Sequence, residues 1–519
     1  MKAISLKNIA YEYAERPIFT DVNLKCVDSE RLCILGENGA GKSTLLKIIV
    51  GQISLDSEDD NGVMSGTIEK TGHIRSVYVP QEFPHKSMTL TVDQYIEKEA
   101  AVNLTKKVYA IAKELGFDAE RAHDSVCGSF SGGQQKILAL ATAFASSPDF
   151  LLLDEPENHI DIVSRVVLIR MLNEFRGGII FISHDRLLID SISTKVAELA
   201  RGEIHVSEGT YDDYIEDKMQ RIGGMQRAYD AETKRIKQLE TAVVIMRQKA
   251  IRGKEVSAYH KKKAELDELK KAHKETGRPD DKKTAIKLSG ATSGLHGGKL
   301  LCRVKDGSFR YEGQGRDLFR DVSLEVRSGA HIALLGRNGA GKSSFLKCLT
   351  GEHAFTEGET TWAEGVKWAY FDQHMKFDSG AKPVEIVMEK LNCFEVEARA
   401  ALGAMRFDLK KMNTPIEGLS GGERMRLRFA LVFGAKPDFL ILDEPTNHID
   451  EVTWEVLLFA CKQSKSTILL VSHDYEFIQE FGPSVFWMIQ GQSVVPRYKE
   501  LGDLLEEMGG GPAKAAAEE

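Results

Sequence analysis

GENGAGKS at Gly36–Ser43 and GRNGAGKS at Gly336–Ser343 are the two stretches on which the fold of this 519-residue chain turns. Each follows an apolar run, RLCIL or HIALL, and precedes a helix-like run, TLLKIIV or SFLKCLT. Strand, glycine-rich loop and helix in that order make the context in which GxxxxGKS is a P-loop. Glycines let backbone N–H groups curl around phosphates, and the N-terminus of the following helix adds its own donors. The candidate nucleotide-binding residues are therefore Gly36, Glu37, Asn38, Gly39, Ala40, Gly41, Lys42, Ser43 and Thr44. In the second stretch they are Gly336, Arg337, Asn338, Gly339, Ala340, Gly341, Lys342, Ser343 and Ser344. Lys42 and Lys342 are expected to reach β- and γ-phosphates, and the Ser43 and Ser343 hydroxyls to ligate Mg²⁺.

Working outward, everything else repeats too. The loops are offset by 300 residues, Gln81 and Gln373 by 292, and FSGGQ (Phe130–Gln134) and LSGGE (Leu419–Glu423) by 289. LLLDEPENHID and LILDEPTNHID keep 289, as do His184 and His473. A shared motif order at nearly shared spacing means two copies of one domain. The first copy carries about eight extra residues in ISLDSEDDNGVMS, expected to form a surface loop. In FLLLDE and FLILDE an apolar strand delivers paired carboxylates: Asp154 and Asp443 suit an Mg²⁺ shell, Glu155 and Glu444 the activation of water. Both catalytic glutamates are present, so two active sites are expected. Glu157 stands in the first copy where the second has Thr446, and an extra carboxylate near one site is the one feature that would make their rates unequal.

Composition fits a globular protein, with 42% hydrophobic and 28% charged residues. No apolar run is long enough to span a bilayer. The start, MKAISLKNIAYEY, has no basic region followed by an apolar stretch, so a cytoplasmic location is expected. Seven scattered cysteines without a CxxC pair read as reduced, buried thiols. The net charge of −8 hides an asymmetry, because Asp217 to Lys287 holds 20 Lys/Arg against 11 Asp/Glu. Within it Ile236, Leu239, Val243 and Met246, then Tyr259, Leu266 and Leu269, step by about three and four. That pattern predicts two helices packed as an antiparallel hairpin along one narrow apolar seam.

SGGQ and SGGE after a helical segment, DEP, and a later SHD together resemble the ABC ATPase superfamily, in both lobes. The resemblance implies an α/β fold: two tandem P-loop ABC-type nucleotide-binding domains joined by an α-helical hairpin linker. The expected divisions are 1–216 for the first domain (helical subdomain about 85–135), 217–298 for the linker, 299–505 for the second domain (helical subdomain about 376–424), and a disordered tail at 506–519. It implies ATP and Mg²⁺ as cofactors, with each ATP sandwiched between the P-loop of one lobe and the signature of the other. Site one would pair Gly36–Ser43 with Ser420, Gly421 and Gly422; site two would pair Gly336–Ser343 with Ser131, Gly132 and Gly133. His184 and His473 resemble the switch histidine, Gln81 and Gln373 the glutamine that senses Mg²⁺ and water, and Tyr13 and Tyr311 the ring that stacks on adenine.

Twin cassettes on one chain, the P-(E/T)-N-H-I-D form and a charged helical linker narrow the resemblance to the ABC-F proteins. That implies an ATPase, working as a monomer, that binds the ribosome at the tRNA exit site in its ATP-closed state. The linker would approach rRNA and the P-site tRNA through Arg235, Lys237, Arg247, Lys249, Arg252, Lys254 and Lys261 to Lys263. The alternative is the energy-coupling ATPase subunit of a membrane transporter, which leaves the basic hairpin without a purpose.

Overall fold

The computed structural model describes residues 2–14, 16–36, 39–53, 62–100, 102–200, 202–251, 256–276, 298–313, 316–371, 375, 377–447 and 449–509. In the first lobe a nine-stranded sheet is ordered 62–71, 3–13, 16–27, 203–208, 195–200, 31–35, 178–182, 150–154 and 76–79. Its inner strands are continuous runs such as RLCIL, FLLLD and GIIFI. Runs of that kind suit strands buried on both faces, and these pair in parallel. The second lobe repeats the order as 493–497, 485–490, 331–336, 467–471, 439–443 and 368–371, and its antiparallel strands form a separate three-stranded sheet. Each P-loop follows the strand at the centre of this order, and each carboxylate pair follows a strand two places away. All four features therefore emerge at the carboxyl edge, where open α/β sheets bind ligands.

Each lobe packs an apolar core on both faces of its sheet. Ile162, Val163 and Val166 of the first lobe belong to a core of the second, so the lobes share apolar packing as well as polar contacts. The helix carrying them, Ile162–Glu174, packs against the C-terminal helix Leu501–Gly509. Residues 506–509, expected in a disordered tail, end that helix instead, because Leu501, Leu504 and Leu505 anchor its start in the same core. The rest of the tail, 510–519, lies outside the described residues.

The linker consists of two helices, Tyr211–Ile251 and Val256–Thr276, joined by ion pairs such as Lys270–Glu240 at 2.7 Å. Ile236, Leu239 and Leu266 are buried between them, with Val243 and Leu269 alongside. The first helix begins inside the stretch assigned to the first domain. Tyr214 is buried in that lobe's core, and Lys218 and Arg221 both pair with Glu198. In the acidic insertion, 54–61 lie outside the described residues. Gly62 to Ser65, expected as loop, instead open the strand Gly62–Thr71, which pairs with Ala3–Tyr13. Six of the cysteines are buried, but Cys393 is only half-buried. Among the described residues no helix is long and apolar enough to cross a membrane.

Candidate active site

The P-loops bend through left-handed glycines. Gly41 and Gly341 both have φ 97°, and a Cβ there would stand 2.5 Å from Ile18 Cγ2 or 2.7 Å from Leu318 Cδ2. Only glycine meets both demands. From these turns the helices Lys42–Val50 and Lys342–Thr350 start. The Lys42 ammonium donates to Gly36 O at 2.7 Å, and Lys342 donates to Gly336 O at 2.9 Å. Burial lowers the pKa of both lysines, while the carboxylates of Glu155 or Glu444 hold them up. Glu37 and Asn38 lie outside the described residues.

At the strand ends, Glu155 and Glu444 have φ of 45° and 49°. A left-handed glutamate is strained, and the same strain in both copies marks a site where the surroundings dictate the backbone. Each is held by its N–H, which donates to Ile182 O at 2.9 Å or Val471 O at 2.8 Å on the neighbouring strand. Gln81 Nε2 donates to Glu155 Oε2 at 2.7 Å, and the Asn158 amide donates to the same oxygen. Gln373 lies outside the described residues. In the second copy His473 Nε2 stands 3.2 Å from Glu444 Oε1. Burial pushes the Glu444 carboxyl up to about 7, against the pull of Lys342, which suits a general base near neutral pH. His184 and His473 are both pushed down, by burial first and then by Lys42 or Lys342, so the imidazoles are neutral.

Asp154 is buried; its Oδ2 accepts from the Tyr78 hydroxyl at 3.0 Å, and its Oδ1 has no hydrogen-bond partner. A buried anionic oxygen left in that condition fits a cation. Tyr370 donates to Asp443 Oδ2 at 2.8 Å. The two tyrosines went unnoticed in the sequence although they keep the 292-residue offset of Gln81 and Gln373. Among the described residues no cluster of three or more His, Cys, Asp or Glu forms an all-protein metal site. Mg²⁺ needs none, since it takes one or two carboxylates plus phosphate oxygens and waters.

The signature serines Ser131 and Ser420 are N-caps of the helices Gly132–Ala145 and Gly421–Gly434, each in a capping box with Gln134 or Glu423. Their helix N-termini present free N–H groups suited to an anion. Ser131–Gly133 is brought up to the second lobe's P-loop. A Cβ on Gly133 would lie 3.5 Å from Asn338 Nδ2. Asn338 N–H donates to Asp161 Oδ2 at 2.8 Å, and its side-chain amide donates to His159 O at 3.0 Å. Arg165 donates to His473 O at 3.1 Å. Sequence reading gave Asp161, His159 and Arg165 no role, because their partners lie in the other lobe. Tyr13 and Tyr311 are exposed, and the Tyr311 hydroxyl lies 2.8 Å from Ser344 Oγ.

The copies differ behind the catalytic edge. Glu157 is buried; its Oε1 accepts from the Ser183 hydroxyl at 2.7 Å and from His184 N–H at 3.1 Å, and its Oε2 has no hydrogen-bond partner. Burial, then Asp185, push its carboxyl up to about 7. Thr446 takes this place in the second lobe, 2.9 Å from the Ser472 hydroxyl. Lys136, also buried, is pulled down to about 8 by burial, against the charge of Glu157.

Comparison with known proteins agrees with this architecture. The family model described as "ABC transporter" matches residues 19–158 and 319–447, and a second model of the same description matches 197–286. The chain is 30% identical over 538 residues to the ATP-binding protein Uup of Escherichia coli (strain K12), covering 96% of this chain and 82% of that protein. It is 30% identical over 526 residues to ABC transporter F family member 5 of Arabidopsis thaliana, covering 92% and 73%. Among solved structures, the archaeal ribosome recycling factor aABCE1, crystallised with the ribosomal stalk protein aP1, superposes with a TM-score of 0.64 at 20% identity. That match covers 96% of this chain and 92% of the other and speaks for the fold. Two P-loop lobes in one chain, with the family match across both, make this protein an ATP-binding ATPase that belongs to the ABC-F family of twin-cassette ABC ATPases.

Proposed function

We propose that this chain is a cytoplasmic translation factor that closes on two ATP molecules and acts as a monomer on the ribosome. The observation that carries the reading is the basic hairpin between the cassettes. Arg235, Lys237, Arg247, Lys261 and Lys263 are exposed on it, whereas Ile236, Leu239 and Leu266 are turned into a narrow seam. A solvated basic rod of this kind suits phosphate backbones, giving salt-dependent affinity with little sequence reading. Lys249, Arg252 and Lys254, named for the same face, have side chains outside the described residues. The structural likeness to an archaeal ribosome recycling factor supports the same direction.

In the proposed cycle Lys42 and Lys342 bind the β- and γ-phosphates, and the P-loop N–H groups orient them. Asp154 with Ser43 and Gln81, and Asp443 with Ser343 and Gln373, would hold Mg²⁺, which would supply positive charge to offset that of the phosphates. Glu155 and Glu444 take a proton from the attacking water. Gln81 positions Glu155, to which it is already hydrogen-bonded, and His184 and His473 face the γ-phosphate as neutral donors. Ser131 and Ser420 complete each site from the opposite lobe, so ATP clamps the lobes and hydrolysis releases them. On the ribosome the clamp occupies the tRNA exit site with the hairpin toward the P-site tRNA.

The double variant Glu155→Gln/Glu444→Gln is expected to co-sediment with ribosomes in ATP and to be released by high salt. Its remaining in the light fractions at low salt refutes the ribosomal reading. Recovery with detergent-extracted membrane proteins instead supports the transporter alternative.

A further inference from the structure

Lys136 stands in the second turn of the signature helix Gly132–Ala145, buried, where an ammonium must be fully paired to be tolerated. Its three N–H groups meet three backbone carbonyls: Pro80 O at 2.8 Å, Gln81 O at 3.2 Å and Asp154 O at 2.9 Å. Two of these belong to the glutamine loop and one to the end of the catalytic strand, all at site one. Next to it, Gln135 Nε2 donates to Cys127 O at 3.0 Å and Phe130 O at 3.2 Å, tying the helix to the segment that leads into Ser131. The N-terminus of this helix, one turn before Lys136, is what faces the second lobe's P-loop at site two. One helix thus grips the backbone of one site and completes the other. At the same repeat position, 289 residues on, the second lobe has Met425, packed into its core, and a thioether has no proton to donate.

We propose that Lys136 is a positioning residue that fastens the glutamine loop and Asp154 strand end of site one to the helix completing site two, a fastening Met425 cannot make. A shift of the Gln81 loop at site one is then transmitted to Ser131–Gly133 at site two. In the second lobe the signature helix is tied near Gln373 not by Met425 but by Arg428, which donates to Met375 O at 3.0 Å. The two lobes fasten this helix differently, by a buried ammonium on three carbonyls in the first and a guanidinium on Met375 O in the second.

The proposal rests on Glu155 and Glu444 being the water-activating residues. Absence of turnover in the Glu155→Gln/Glu444→Gln protein checks that assignment separately. Glu444→Gln leaves site one alone turning over, and Glu155→Gln leaves site two alone; Lys136→Met is placed in each. At site one kcat is expected to fall about tenfold while KM for ATP stays within about threefold, as for a misplaced catalytic constellation. At site two, whose reacting groups Lys136 does not touch, kcat is expected to change by about threefold or more. An unchanged site-two kcat overturns the fastening, and a site-one defect confined to KM overturns the positioning role. Met425→Leu, in the same two backgrounds, is expected to leave both rates unchanged; an equal effect from it also overturns the proposal. If Lys136→Met fails to fold by its melting curve, Lys136→Gln, which keeps two N–H donors, is read by the same two rates.

Discussion

Glu157→Gln tests how this protein tolerates a buried carboxyl beside its switch histidine. The Glu157 carboxyl has its pKa raised from 4.5 to about 7, chiefly by burial. Ser183 and His184 supply donors to one oxygen only. Between those two pH values the folded chain keeps a proton that the unfolded chain has lost. The native state therefore binds more protons, and stability falls as pH rises from about 4.5 to about 7, then levels off. At about 1.4 kcal/mol per pKa unit, the loss is about 3 kcal/mol. The amide of Gln does not titrate, so the variant is expected to gain about 3 kcal/mol on the parent over that window. Other raised groups, Glu444 and Asp474 among them, are common to both proteins and cancel. All four tryptophans, Trp362, Trp368, Trp454 and Trp487, lie in the second lobe, so fluorescence reports that lobe and serves as the control. The first lobe is read by native-state hydrogen exchange in Phe150–Asp154 and Gly178–Ile182, corrected for intrinsic rates. Parallel pH profiles for parent and variant in those strands would refute the reasoning.

Other outcomes follow from the same geometry. Asp161→Ala removes both a helix N-cap, the bond from Ser164 N–H at 2.8 Å, and the inter-lobe bond from Asn338. It is expected to cost about 1–2 kcal/mol of first-lobe stability and to raise KM for ATP in the Glu155→Gln protein; an unchanged KM there would show the inter-lobe bond is idle. Neutralising Arg247, Lys249, Arg252 and Lys254 together is expected to weaken ribosome co-sedimentation and flatten its salt dependence, with the slope reduced by up to about four phosphate contacts. Loss of ATP binding in that variant would show that the linker supports the lobes structurally instead.

Much of the fold was legible in the sequence because it is encoded locally. RLCIL and FLLLD declare apolar strands, and glycine at 41 and 341 permits a left-handed turn that a side chain would block. The linker seam was readable because Ile236, Leu239 and Leu266 obey helical spacing. The failures are equally physical. Residues 506–509 look like the start of a polar tail, yet the helix they end is held by leucines whose partners are in a core elsewhere. Asp161, His159 and Arg165 sit in or beside a quoted motif, but their importance depends on Asn338 and His473 in the other lobe.

By itself, then, the sequence determined two phosphate-cradling loops, two carboxylate-tipped strands and a basic hairpin between them. Each depends on backbone freedom, periodicity or charge within a few neighbouring residues. Only the tertiary structure decided that Asp161 and His159 hold Asn338 of the other lobe, beside Gly133, and that Lys136 spends its three protons on site-one carbonyls. It also decided that desolvation raises the carboxyls of buried Glu157 and half-buried Glu444 to about 7. Those properties come from desolvation and from contacts between residues far apart in the chain, which local pattern does not carry.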